Sequence, residues 1–139
     1  MRGRRLAFDY GDVRIGVAIC DPDGILATPL TVLQSQSKEL IAQIEQIINE
    51  YEPIKIFIGL PKNMSGTEGE SAAKAHDFGT SLLENFDLPV FFIDERLSTV
   101  SAQKKLKEAG VDTRSAKSHI DAMAAVAILE QGLASETVA

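Results

Sequence analysis

The sequence predicts an α/β fold with a mixed five-stranded sheet and helices on both of its faces. Three short segments of strand length come first, separated by turn residues, and the second of them is rich in β-branched residues and lacks helical periodicity. Apolar segments of strand length then alternate with segments of helical spacing. Strands joined by tight turns pair antiparallel, whereas strands joined through helices pair in parallel. We therefore expect an antiparallel meander that is continued by parallel strands.

The meander is predicted from strands over residues 5–9, 13–20 and 25–33. The tetrapeptide Asp21-Pro22-Asp23-Gly24 is a turn with proline at its second position. Pro29 lacks a backbone N–H, so we expect it to break or end the third strand.

A helix is predicted over 37–51, where Leu40, Ile44 and Ile47 recur at helical spacing. Ser35 or Ser37 is its expected cap, and Pro53 is expected to end it. The other predicted elements are a strand over 54–59, a helix over about 71–85, a strand over 90–93, a helix over about 98–109 and a helix over about 115–133. This order is that of the RNase H-like fold and of the halves of actin-like ATPases, which share its topology.

Size and composition predict one globular domain spanning 1–139, because 139 residues with 45% apolar content fill one core and leave no room for a second. The single cysteine, Cys20, cannot form an internal disulfide, and we expect it in the core. Acidic residues interrupt the apolar run that follows the basic start, and no apolar stretch of about 18 residues occurs. We expect a cytoplasmic protein without membrane contact.

The net charge of −6 argues against a protein that coats nucleic acid nonspecifically. A local excess lies between residues 96 and 117, where six positive residues face two negative ones, a surplus of four. The residues are Arg96, Lys104, Lys105, Lys107, Arg114 and Lys117 against Glu108 and Asp112. This segment either lines a basic groove or forms an ordinary solvated helix face.

Acidic residues follow two of the predicted strands. Asp9 ends the first, and Asp94 and Glu95 come directly after the strand over 90–93. Ligands bind at the carboxyl ends of parallel strands in such sheets, so these acids could share a crevice if the two strands are neighbours, which the predicted order allows. Charged groups at the end of a buried strand are costly unless they bind something or are solvated.

A further carboxylate, Asp121, lies on the last predicted helix within an otherwise apolar stretch. At helical spacing it shares a face with Ala124, Ala125 and Ile128, small or apolar residues that let the helix approach the sheet. Asp121 either belongs to a site, pairs with Lys117 one turn earlier, or stabilises the N-terminal half of the helix through the helix dipole.

Carboxylates without a thiolate pair, and with only two well-separated histidines, favour hard cations such as Mg²⁺ or Mn²⁺ over zinc. Carboxylate sites with two such ions hydrolyse phosphodiesters without a protein nucleophile.

Four motifs occur in order and together resemble the YqgF family, also called RuvX, whose members are described as pre-16S rRNA nucleases and as Holliday junction resolvase-like proteins. They are Asp9-Tyr10-Gly11-Asp12-Val13-Arg14-Ile15-Gly16-Val17-Ala18, the segment from Gly59 to Gly69, Asp94-Glu95-Arg96-Leu97-Ser98-Thr99, and Ile120-Asp121-Ala122-Met123-Ala124-Ala125. The resemblance covers nearly the whole chain. Ala7 and Val13 depart from it, because they stand where the family often has Gly and Lys.

The resemblance implies an RNase H-like nuclease that matures the 5′ end of pre-16S rRNA on a ribosomal precursor particle. It implies that Asp9, Glu95 and Asp121 are the catalytic and metal-binding acids, with Glu95 favoured over Asp94. The residues expected to contact substrate are Arg14, Lys62, Asn63, Arg96 and Lys117.

Three alternatives remain open from the sequence. A Holliday junction resolvase would act on four-way DNA and, because that substrate has two-fold symmetry, would be a dimer; we expect a monomer. A noncatalytic RNA- or ribosome-binding module would keep the fold without the chemistry. An actin-like ATPase or sugar kinase would use the Asp9-Tyr10-Gly11 hairpin for nucleotide phosphates, but such enzymes need two domains of this kind.

Overall fold

A computed structural model of the chain describes residues 2–61, 69–94 and 113–138, with side chains described over 121–136 in the last range. The strands are β1 (Arg5–Tyr10), β2 (Arg14–Cys20), β3 (Ala27–Gln34), β4 (Lys55–Leu60) and β5 (Val90–Asp94). The helices are α1 (Leu40–Tyr51), α2 (Glu70–Asn85) and α3 (Thr113–Val138). The helix predicted over 98–109 lies outside the described residues.

The five strands form one mixed sheet in the order β3-β2-β1-β4-β5. β1 pairs antiparallel with β2 and parallel with β4, and β5 pairs parallel with β4 on its other side. The predicted meander and parallel strands are therefore confirmed. β1 and β5 are not neighbours, however, because β4 lies between them. We expected Asp9 and the acids at the end of β5 to share a crevice if β1 and β5 were neighbours, and that condition is not met.

β3 continues through Pro29 rather than ending there. Pro29 is opposite Ala18, and the register shifts between Val17 and Ala18. β3 is at the edge of the sheet, where a missing N–H is tolerated, and the irregularity accommodates the proline.

The observed bounds of α1 and α3 differ from the predicted ones. α1 begins at Leu40, and no side chain caps it: the Ser37 hydroxyl accepts a hydrogen bond from the Glu39 N–H, while the Ser35 hydroxyl donates to the Gly11 carbonyl. The expected serine cap is therefore wrong, because both hydroxyls serve the preceding turn and hairpin. α3 is longer than predicted and extends to Val138.

The two faces of the sheet carry separate cores. α1 and α2 cover one face, where Leu6, Phe8, Ile56 and Ile58 are fully buried. α3 alone covers the other among the described elements, packing Ala125, Ile128 and Leu129 onto Ala7, Ala18, Cys20 and Phe57. Cys20 is buried, as expected, and burial raises the pKa of its thiol. Within the described ranges, no helix is both long and apolar enough to span a membrane.

Candidate active site

Asp9 lies on the α3 face of the sheet, near the carboxyl end of β1. Side chains alternate along a strand, and Ala7, two residues earlier, packs in the α3 core. Asp9 is partly buried and is opposite Gly16 of β2 in the antiparallel register. Residues directly opposite each other in the two strands share a face of the sheet. A side chain at position 16 would therefore also point towards α3.

Gly16 allows α3 to approach the sheet at Asp121. A Cβ atom built on Gly16 would overlap the main-chain carbonyl group of Asp121 and would lie 3.1 Å from the N atom of Ala122. The strand and helix backbones are thus in direct contact here, which only glycine permits. Because Asp9 is the cross-strand partner of Gly16, this contact brings the segments carrying Asp9 and Asp121 to the same corner of the sheet.

The predicted face of α3 is confirmed by burial. Ala124, Ala125 and Ile128 are each at most 1% exposed, whereas Asp121, at the end of this apolar face, keeps 22% of its side chain exposed. A carboxylate in this position touches both the apolar core and solvent.

Arg14 contributes a positively charged side chain at this corner of the sheet. It lies two residues before Gly16 on the same face of β2, and its Nε donates to Asp121 Oδ2 at 2.5 Å. The sequence suggested Lys117 as the alternative partner of Asp121, but the Lys117 side chain lies outside the described residues. The Arg14–Asp121 pair was not expected, since residues 107 positions apart give no local signal.

Asp94 lies on the other face of the sheet from Asp9. It is opposite Leu60, which belongs to the core under α1 and α2, and alternation places it with Phe92, whose ring contacts α2 at Gly79. Because β5 is at the edge of the sheet, Asp94 nevertheless also borders α3: it lines a cavity of about 390 Å³ with Phe92, Ile93 and three residues of α3, Gln131, Ala134 and Ser135. Asp9, Arg14 and Asp121 do not line that cavity.

The remaining predicted site residues fall outside what the structure describes. Glu95, Arg96, Lys62 and Asn63 lie in the two undescribed internal segments, and Lys117 is placed only by its backbone in α3. Among the described side chains, no group of three or more His, Cys, Asp or Glu is arranged to hold a metal ion. Of the residues predicted to form the site, the structure therefore describes the side chains of Asp9, Arg14 and Asp121.

The order and directions of the five strands, with helices on both faces of the sheet, define a protein of the RNase H-like fold. Two solved structures of RuvC from Thermus thermophilus share the fold. RuvC in complex with Holliday junction substrate aligns with a TM-score of 0.61 at 17% identity, covering 96% of each chain. The other aligns with a TM-score of 0.55 at 12% identity, covering 97% of this chain and 96% of that one.

Within this class the chain belongs to the RuvX family, whose model is described as Holliday junction resolvase and matches residues 3–135. A Streptomyces coelicolor protein named "Putative pre-16S rRNA nuclease" is 47% identical over 139 residues, 99% of this chain and 83% of that protein. A Mycobacterium ulcerans protein of the same name is 46% identical over 134 residues, 95% and 79% of the two chains. The expected family is confirmed, and the chain is a nuclease of that family.

Proposed function

We propose that this nuclease hydrolyses phosphodiester bonds in precursor ribosomal RNA, with Mg²⁺ or Mn²⁺ held by Asp9, Glu95 and Asp121. The observation that carries the proposal is the contact of Gly16 with the Asp121 main chain, directly across from Asp9. This contact supports the proposal because the segments that carry the two acids, from opposite ends of the sequence, meet at one corner of the sheet and both residues are partly solvated. Carboxylate oxygens are the ligands that these hard cations prefer, so the residues present fit such an ion.

The chain's own residues divide the work of this site. Asp9 and Asp121 offer oxygen ligands from a strand and a helix whose relative position is fixed by main-chain packing. The chemistry supplied by bound Mg²⁺ or Mn²⁺ is activation of water and stabilisation of the leaving oxygen. Arg14, Arg96 and Lys117 position the RNA backbone, and Lys62 and Asn63 contact a neighbouring phosphate.

The middle ligand is proposed as Glu95 rather than Asp94. Strand alternation supports this choice, because Asp94 falls on the α2 side with Leu60, whereas Asp9 and Asp121 are on the α3 side. The α3 residues that line a cavity with Asp94 begin at Gln131, ten residues beyond Asp121. β4 separates β1 from β5. On the α3 face, however, Gly59 of β4 follows Phe57 and has no side chain that would stand between the ends of β1 and β5. An Asp94→Asn and Glu95→Gln pair of variants tests the choice: loss of cleavage only in Asp94→Asn would overturn it.

The substrate is proposed as RNA because the two curated relatives are named for pre-16S rRNA. We propose that the chain acts as one domain over 1–139, as a cytoplasmic monomer, at the 5′ end of pre-16S rRNA on a ribosomal precursor particle. A four-way DNA junction is the second candidate, which the family description and the likeness to junction-bound RuvC favour.

The test compares a labelled pre-16S rRNA fragment with a four-way DNA junction, each with Mg²⁺, Mn²⁺ or EDTA. We expect cleavage of the RNA with metal, none with EDTA, and a loss of at least about 10²-fold in Asp9→Asn, the scale of removing one electrostatic stabiliser. Asp23→Asn is the matched control, because Asp23 lies in the β2–β3 turn and pairs with Arg2 there.

Three outcomes would overturn parts of the proposal. Cleavage that survives in Asp9→Asn or in EDTA contradicts the metal site. Cleavage of the junction alone makes the chain a resolvase. RNA binding without cleavage under any condition makes it a noncatalytic RNA-binding protein.

A further inference from the structure

Arg14 is bound to a residue that the proposed metal site needs. Its Nε donates to Asp121 Oδ2, and it lies on the same face of the sheet as Asp9. A guanidinium group therefore lies at the corner of the sheet where the segments that carry Asp9 and Asp121 meet. Two acids held close together repel each other, and a nearby positive charge relieves that repulsion.

The Arg14–Asp121 pair differs in burial from Arg5–Glu136, a second arginine pair among the described side chains of α3. The side chains of Arg14 and Asp121 are 35% and 22% exposed, whereas those of Arg5 and Glu136 are 6% and 20% exposed. Arg5 has little solvent to move into, and its side chain also donates to the Gly3 carbonyl. Arg14 is bordered by solvent, and a partly exposed pair of this kind contributes little stability. Unlike Arg5–Glu136, the Arg14–Asp121 ion pair can therefore separate without exposing residues of the core.

We propose that Arg14 is a displaceable counter-ion: it holds the Asp121 carboxylate while no metal ion is bound, and it turns to a substrate phosphate when a divalent cation takes its place. This inference rests on the proposed function, in which Asp121 is a metal ligand. The divalent cation and Arg14 compete for the same oxygen, so the cation must displace the guanidinium. The released guanidinium has the fork geometry that binds phosphate oxygens in pairs.

The arrangement couples two binding events. A cation bound at Asp121 frees Arg14 for RNA, and RNA that holds Arg14 leaves Asp121 open to the cation. Linkage requires that each ligand strengthen the binding of the other by the same factor. The protein without metal would bind RNA weakly, because its arginine is occupied.

The first measurement is Mn²⁺ affinity without RNA, followed by electron paramagnetic resonance of the free ion. We expect Arg14→Gln to bind Mn²⁺ about two- to fivefold more tightly than the unchanged protein, the factor that corresponds to removing one competing exposed ion pair. Arg2→Gln removes the same charge at the other end of the molecule, where Arg2 pairs with Asp23, and should leave the affinity unchanged. Unchanged or weaker Mn²⁺ binding in Arg14→Gln overturns the counter-ion role.

The second measurement is the affinity for a short RNA oligonucleotide, followed by fluorescence anisotropy with and without Ca²⁺, another oxygen-seeking cation. We expect Ca²⁺ to strengthen RNA binding in the unchanged protein and in Arg2→Gln, and most of that gain to vanish in Arg14→Gln. Arg14→Lys keeps the positive charge but lacks the forked guanidinium geometry, so it should retain part of the gain in RNA affinity. A full gain in Arg14→Gln contradicts the coupling. Thermal melting of each variant checks that it is folded.

Asp9→Asn and Asp121→Asn separate this inference from the proposed function. If neither variant weakens Mn²⁺ binding, the metal site itself is wrong. If both weaken it while Arg14→Gln does not tighten it, the metal site stands and only the counter-ion role fails.

Discussion

Gly16 determines the geometry of the site although it carries no functional group. It interrupts the β-branched run of β2, and a glycine within a strand often marks the close approach of another backbone. Gly16 is therefore the sequence signal from which the close approach of α3 to β2 is predictable. The isolation of Asp121 on an apolar helix correctly predicted the face of α3 that meets the sheet.

Gly16→Ala is expected to impair both stability and the site. The added methyl group overlaps main-chain atoms of α3, which cannot rotate away, so the helix must shift. We expect a loss of about 1–3 kcal/mol in the free energy of unfolding. We also expect Mn²⁺ binding to weaken by about tenfold or more, the scale seen when support of a metal ligand is lost. Urea denaturation and Mn²⁺ titration measure the two effects.

Gly132→Ala is the matched control on the same helix. A Cβ there would lie 2.7 Å from two ring carbons of Phe57, a side chain in the core rather than a main-chain atom near Asp121. Gly132 is eleven residues beyond Asp121, roughly 16 Å along the helix. This variant should lose stability without a selective loss of Mn²⁺ affinity. Equal losses of affinity in both variants would refute the local role of Gly16.

At the scale of elements, α3 is attached to the sheet by one ion pair in its N-terminal half and others near its C-terminal end. Asp121 binds Arg14 of β2, and Glu136 binds Arg5 of β1 and lies 3.5 Å from Lys55 of β4. Burial would raise the pKa of Glu136, but the hydrogen bond from Arg5 and the charges of Arg5 and Lys55 outweigh it and lower the pKa below its ordinary value of 4.5. The carboxylate is therefore held ionised at the C-terminal end of α3.

Glu136→Gln is expected to lower the free energy of unfolding by about 1–3 kcal/mol at pH 7, because it leaves the buried Arg5 without its charged partner. A carboxyl whose pKa is lowered on folding contributes stability above its unfolded pKa, and that contribution is lost as pH falls through the folded value. The difference between the two proteins should thus shrink below about pH 4.5.

Urea denaturation at pH 7 and at several lower pH values measures this difference, with Glu130→Gln as control, since Glu130 is an exposed carboxylate on the same helix. A difference that stays constant on acidification would show that the Glu136 charge is not what stabilises the helix end.

The elements could be predicted from the sequence more completely than their arrangement. Periodicity and turn residues located each described strand and helix to within a few residues, because these signals are local. The order of strands is not local: nothing near residues 90–94 indicates that β5 pairs outside β4 rather than beside β1. The Arg14–Asp121 pair depends on that same long-range packing, so the sequence showed two candidate residues but not their contact.

At the scale of the whole molecule, the described surface offers no concentrated apolar patch for self-association. Its exposed large apolar side chains come from two hairpin turns at opposite ends of β2, from α2 and from β5: Val13, Ile25, Leu26, Leu83 and Phe91. Stable homodimer interfaces instead bury a continuous apolar core. The net charge of −6 adds repulsion between copies.

We therefore expect the protein to be a monomer of 15.0 kDa by light scattering after gel filtration, at micromolar concentration and with or without Mg²⁺. Addition of a four-way DNA junction should not bring two copies together. A stable dimer, alone or on the junction, would favour the resolvase over the RNA nuclease, because a two-fold symmetric substrate requires two equivalent active sites.

The contact between Gly16 and Asp121 also determines how clearly mutants of this site can be interpreted. Asp121 touches the glycine through its carbonyl group, which every amino acid possesses, rather than through its carboxylate. Exchanging the Asp121 side chain therefore leaves the surfaces that seat the helix on the strand unaltered. A defect in Asp121→Asn can be attributed to the missing charge, whereas a defect in a Gly16 variant reports on displacement of the helix. The two substitutions therefore distinguish the effect of the Asp121 charge from the effect of the position of α3.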